Sequence, residues 1–143
     1  MTNTEKLDQY LAARGLRHST ERTLMLKHIE TLKEHFTIES LIETFGKVQH
    51  VSQASIYRNI KIMVEAGIVT EHRFPMREVE YELSSKAATH CHRVCTVCGE
   101  VKEFRDATVV STLHQHRFRA FSMESSSIYV YGICKKCMNK KQH

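Results

Sequence analysis

Apolar positions in the first half of the chain recur at helical spacing, and each run opens on a side chain able to cap it. Thr4 precedes Leu7, Tyr10 and Leu11, and Gly15 lies past their end. Ser19 or Thr20 precedes Leu24, Met25, Ile29 and Leu32. Thr37 opens a third run, with Ile38, Leu41, Ile42 and Phe45 on one face and Gly46 as its stop. Ser52 opens a fourth, in which Ile56, Ile60, Met63 and Val64 repeat at helical spacing and Gly67 lies beyond. The pattern then changes. Residues 68–74 and 79–83 read as two strands, with a turn at 75–78 led by Pro75. Helices followed by a hairpin give the outline of a winged helix.

The stretch SSKAATH interrupts the pattern. It is small, polar and without period, and it predicts a hinge at 84–89 between a domain over 1–83 and a second over 90–143. In the second part, 90–94, 101–104 and 127–131 read as short strands. Asp106 can cap a helix carrying Val109, Val110 and Leu113. The expected class is α+β: an N-terminal winged helix-turn-helix domain, then a small α/β domain with a three-stranded sheet. The basic tail KKCMNKKQH is expected to fray.

Composition narrows the class. The 143 residues, 41% hydrophobic and 26% charged, suit one ordinary water-exposed domain or two small ones. The start, MTNTEKLDQY, is polar with no apolar run behind it, which predicts neither a signal peptide nor a membrane span. A reducing, cytoplasmic compartment is then expected, where disulfides are rare. The net charge of +5 invites a nucleic-acid reading, but its distribution weakens that argument. Residues 1–83 carry 11 Lys+Arg against 12 Asp+Glu, a net −1; residues 84–143 carry 10 against 4, a net +6.

The second part also holds the five cysteines, an odd number, so at least one has no partner within the chain. Cys95 and Cys98 form one C-x-x-C and Cys134 and Cys137 another. Two thiolates on a tight turn can hold one ion, and two such turns supply the closed tetrahedral set of a structural zinc. The gap over 99–133 is longer than that of a zinc ribbon, so it must contain folded structure. A redox C-x-x-C would want a thioredoxin-like βαβ context, absent from this pattern. Cys91 reads as a small half-buried hydrophobe, with a thiol sensor or haem ligand as alternatives.

A strand through His90 and His92 turns both imidazoles to one face. Glu82 before the hinge and Glu103 on the next strand keep them company. Nitrogen and carboxylate donors without thiolate suit Fe(II), Mn(II) or Zn(II). The third and fourth helices can make a helix-turn-helix. The outward face of the fourth carries Gln53, Ser55, Tyr57, Arg58 and Lys61, and Ser52 starts it; such residues contact bases and phosphates in a major groove.

The segments VSQASIYRNIKIMVEAGIVTEH, HCHRVCTVCGEVKEF and IYVYGICKKC, in this order and spanning nearly the whole chain, resemble the ferric uptake regulator family of bacterial metal-dependent repressors. The resemblance implies a winged-helix domain, an α/β dimerisation domain, and a homodimer on a palindromic, AT-rich double-stranded DNA operator, with no membrane partner. It places Tyr57 and Arg58 on DNA from the recognition helix and Arg17 in the minor groove. It matches His35, Glu82, His90, His92 and Glu103 to the family's regulatory metal site, and Cys95, Cys98, Cys134 and Cys137 to its structural zinc. A further metal site of many members falls on Thr89, Cys91, Val110 and Ser126, where only Cys91 is a ligand type, so that site is not expected. The function expected is an iron-responsive repressor. The alternatives are a zinc-, manganese-, peroxide- or haem-responsive regulator of the same family. Glu103 stands where peroxide sensors carry aspartate. A metal-dependent hydrolase is the distant alternative, and the chain has no G-x-S-x-G, P-loop or H-E-x-x-H.

Overall fold

The computed structural model describes residues 1–141. Helix α1 (Asn3–Arg14) is capped by Thr2, two residues ahead of the expected Thr4. The Thr2 hydroxyl accepts from the Glu5 backbone N–H at 3.1 Å, and the Glu5 carboxylate accepts from the Thr2 N–H at 2.8 Å. This reciprocal box satisfies two orphan donors at once, which Thr4 could not do. Helices α2 (Thr20–Thr31), α3 (Ile38–Phe45) and α4 (Gln53–Glu65) are capped by Ser19, Thr37 and Ser52. Their inner faces meet in one core, where Leu11, Met25, Leu26, Ile29, Leu41, Phe45, Ile56 and Met63 are buried.

Strands β1 (Val69–His72) and β2 (Glu80–Leu83) pair antiparallel, with Val69 opposite Leu83 and His72 opposite Glu80. Phe36 adds a further pairing to this hairpin. Its N–H donates to the Tyr81 carbonyl at 2.9 Å, and the Tyr81 N–H returns a bond at 2.8 Å. The segment ahead of α3 is thereby fixed beside β2.

Residues 84–89 are not wholly irregular. Ser84–Ala87 form the single-turn helix α5, with Ala87 buried. A second sheet follows, built from β3 (Cys91–Cys95), β4 (Val101–Phe104) and β5 (Tyr129–Gly132) in the order β4-β3-β5. His90 lies just before β3. Strand β4 runs antiparallel to β3, whereas β5 is parallel to it. A parallel neighbour needs a crossover, and helix α6 (Ala107–Gln115), capped by Asp106, lies within it. The tail is helical as α7 (Lys135–Lys141) where fraying was expected. Gln142 and His143 of that tail lie outside the described residues.

The chain divides into two units, Met1–His72 with Glu80–Ser84, and Arg73–Val79 with Ser85 onward. The hairpin strands thus belong to the first unit and the loop joining them to the second. In that second unit Phe74 is buried, 5.4 Å from the His92 ring and 5.5 Å edge-on from Tyr129. Gly99 takes a left-handed φ of 78° beneath the same loop. A Cβ there would lie 3.2 Å from Met76 Cε, tighter than ordinary contact, and 3.4 Å from the Pro75 carbonyl oxygen.

Candidate metal centres and nucleic-acid interface

Parallel pairing brings the two C-x-x-C turns together. Cys95 at the end of β3 is opposite Gly132 at the end of β5, and the Thr96 N–H donates to the Gly132 carbonyl at 2.8 Å. Two residues later the chain reaches Cys134. The Sγ atoms of Cys95, Cys98, Cys134 and Cys137 all lie within 4.8 Å of one another. The Cys98–Cys134 separation is 3.7 Å. A tetrahedron with zinc–sulfur bonds of about 2.3 Å has an edge of about 3.8 Å, so the sulfurs fit that ion closely. Backbone amides prepare the charge. Cys95 Sγ accepts from the Cys134 N–H at 3.3 Å and from the Cys98 N–H at 3.5 Å. These bonds, the Cys134 amide first, draw the Cys95 thiol down to about 6. Cys137 is pushed up to about 12, first by its side-chain hydrogen bond with Cys134 and then by burial. The fifth cysteine, Cys91, is fully buried on β3; burial, and then the Asp106 charge, raise its thiol and keep it protonated. That is the environment of a small core hydrophobe.

The nitrogen and oxygen donors fall into two groups, one per unit. In the first unit, the Phe36–Tyr81 pairing sets His35 beside β2. His35 Nε2 is 3.2 Å from Glu82 Oε2, and its Nδ1 is 3.8 Å from Glu80 Oε1. Glu82 is buried, and its other oxygen, Oε1, is 2.5 Å from His72 Nε2. The His35 and His72 rings stack with centroids 5.2 Å apart. Two ligands on one ion, each about 2.1 Å from it, stand about 3 Å apart, so the His35–Glu82 spacing suits a shared metal. In the second unit, His90 and His92 are buried with ring centroids 4.9 Å apart. Glu103 is opposite His92 in the β3–β4 register, but its half-exposed carboxylate lies 3.5 Å from His90 Nε2. Neither His72 nor Glu80 belongs to a motif in the sequence. The signal that could have found them is the hairpin register, which pairs His72 with Glu80, two residues from Glu82.

Helices α3 and α4 pack through Leu41, Phe45, Ile56, Ile60 and Met63. This leaves Gln53, Tyr57, Arg58 and Lys61 exposed along α4, with Ser55 half-buried and Ser52 exposed at its start. Tyr57 is 58% exposed. Arg17 sits in the exposed loop between α1 and α2.

The profile of the ferric uptake regulator family matches residues 13–131, from the end of α1 into β5. The chain belongs to that family. The ferric uptake regulation protein of Campylobacter upsaliensis is 30% identical to it over 145 residues, 95% of this chain and 89% of the relative. The peroxide operon regulator of Bacillus subtilis is 24% identical over 132 residues, 90% and 89% of the two chains. Among solved structures, the ferric uptake regulator of Pseudomonas aeruginosa with manganese superposes with a TM-score of 0.73. It is 26% identical and matches over 94% of this chain and 99% of that one. As a ferric uptake regulator family member, the chain is a metal-responsive transcriptional regulator, with a winged helix-turn-helix domain and an α/β domain of the dimerisation type. No helix among the described residues is long and apolar enough to cross a membrane.

Proposed function

We propose that this chain is an iron-responsive repressor of the cytoplasm that binds a palindromic, AT-rich operator as a homodimer. Cys95, Cys98, Cys134 and Cys137 hold a structural zinc that staples the two turns and α7. His35 and Glu82 from the first unit, with His90, His92 and Glu103 from the second, share one regulatory divalent ion. Arg17, Ser52, Gln53, Ser55, Tyr57, Arg58 and Lys61 face the DNA.

One observation carries this reading: the donors come in two incomplete sets. His35 and Glu82 stand at ligand spacing in one unit, and the buried His90 and His92 rings lie 4.9 Å apart in the other. Neither set fills the sphere of a six-coordinate ion, and the combined set has the imidazole and carboxylate character that suits Fe(II). Residues from both units around one ion favour the arrangement in which two winged helices fit two half-sites. A coupling of about 1–3 kcal/mol corresponds to about 5–150-fold in operator affinity.

The test is anaerobic operator binding with buffered Fe(II), Mn(II) and Zn(II), for wild type, His90→Ala and Glu103→Ala. Wild type should tighten on the operator when Fe(II) is added. Both variants should lose that response while keeping their zinc and their dimer. Variants that respond as wild type does would place the regulatory ion elsewhere.

A further inference from the structure

Helix α4 buries one polar side chain among apolar ones. Asn59 is 5% exposed, next to the buried Ile60 and one residue past the exposed Arg58. An apolar residue would fill this position without needing any hydrogen bond, whereas a buried amide needs partners for both its oxygen and its nitrogen. The first turn of α2 supplies both. Asn59 Oδ1 accepts from Arg22 Nε at 3.2 Å, and Asn59 Nδ2 donates to Glu21 Oε1 at 3.4 Å. The Arg22 guanidinium has a second bond: a terminal nitrogen donates to the Arg17 carbonyl at 2.8 Å. One planar fork therefore joins the exposed loop that carries Arg17 to the buried side of the helix that carries Tyr57 and Arg58. Its two bonds leave in fixed directions, which a lysine ammonium cannot reproduce.

We propose that Arg22 and Asn59 are positioning residues for DNA. They set the height of the Arg17 loop against α4, so that Arg17 enters the minor groove when Tyr57 and Arg58 occupy the adjacent major groove. Neither touches a base. This rests on the DNA-contact roles proposed above for Arg17 and α4. The loop's other ties lie on either side of Arg17, from the Leu16 N–H to the Leu11 carbonyl at 2.9 Å and from His18 Nδ1 to Asp8 Oδ1 at 3.5 Å, whereas Arg22 holds the Arg17 carbonyl itself. Without that bond Arg17 would have to be ordered on binding, which opposes it. The network acts on shape readout in the flank and leaves direct readout in the half-site alone, because α4 keeps its apolar packing on Ile56, Ile60 and Met63.

The experiment uses the full-length dimer loaded with zinc and Mn(II), and a palindromic duplex that wild type selects from random DNA. Two sets of duplex changes are compared: A·T to G·C in the minor-groove flank, and base changes inside the major-groove half-site. Wild type should lose about fivefold or more on each. Arg22→Gln and Asn59→Leu should reduce the flank penalty to about twofold or less while keeping the half-site penalty, as Arg17→Ala does. Thermal unfolding and zinc content report folding. If either variant fails to fold, Arg22→Lys keeps the charge, loses the fork, and should show the same selective loss. The proposal is overturned if flank and half-site penalties fall together, which is general loosening. It is also overturned if the flank penalty survives in the Arg22 and Asn59 variants but not in Arg17→Ala. An Arg17→Ala protein that keeps the flank penalty removes the minor-groove role and the proposal with it. A wild type that selects no duplex instead removes the DNA-binding reading.

Discussion

Glu82 uses both carboxylate oxygens, Oε2 toward His35 and Oε1 toward His72. If His72 donates to Oε1, the carboxylate is held with Oε2 toward His35, ready for the regulatory ion proposed above, as outer-sphere partners do in metal sites. His72→Phe should weaken Mn(II) binding about tenfold or more, and His72→Gln, which keeps a donor, should lie closer to wild type. Competition against a metal-sensitive dye reads both. The zinc site gives a pH prediction at the same scale. With the Cys95 thiol down at about 6 and Cys137 up at about 12, the metal-free site at neutral pH holds a thiolate on Cys95 and a proton on Cys137. Zinc uptake at pH 7 should therefore release protons, fewer for Cys137→Ser than for wild type, as an indicator dye in weak buffer would report. Protons compete for the thiolates, so retention against a chelator should weaken with acid, most steeply below about pH 6, where Cys95 also protonates. The cysteine set was legible in the sequence because C-x-x-C is a local spacing. His72 was not, because its role depends on which residues face each other across the hairpin.

At the scale of elements, the helices follow their caps and their apolar spacing. Ser19, Thr37, Ser52 and Asp106 each cap the helix they announce. The start of α1 differs because Thr2, Thr4 and Glu5 offer two registers, and only Thr2 places a glutamate three residues on for the box. Four residues are too few to show a period, so α5 had no signature, and α7 is stabilised where Cys134 begins its first turn. Thr37→Ala removes a reciprocal box from α3 and should cost about 1 kcal/mol in chemical denaturation. Ile56→Ala should cost about 2–5 kcal/mol, since Ile56 is 1% exposed on the inner face of α4. Arg58→Ala leaves that core alone. Its operator binding should weaken, with a salt dependence shallower by about one unit of slope if the side chain meets a phosphate.

At the scale of the whole molecule, metal and operator must answer to each other. If the ion tightens DNA binding by some factor, the operator tightens ion binding by the same factor. Titrating Mn(II) with and without duplex should show that reciprocity, and equal metal affinity in both conditions would break the coupling model. The assignment of residues 73–79 to the second unit has no sign in the sequence, because a turn carries no periodicity. That assignment has a consequence for modularity. The chain passes between units at 72/73, again at 79/80 and again at 84/85, three times in all. A cut at the hinge therefore does not separate two beads on a string. A fragment ending near residue 84 takes Phe74 away from His92 and Tyr129 and leaves an apolar ring in water. Recombination that exchanges DNA-binding halves between relatives must keep the loop matched to the sheet it packs on, even though its strands travel with the other half. The two units of this protein are interleaved along one chain.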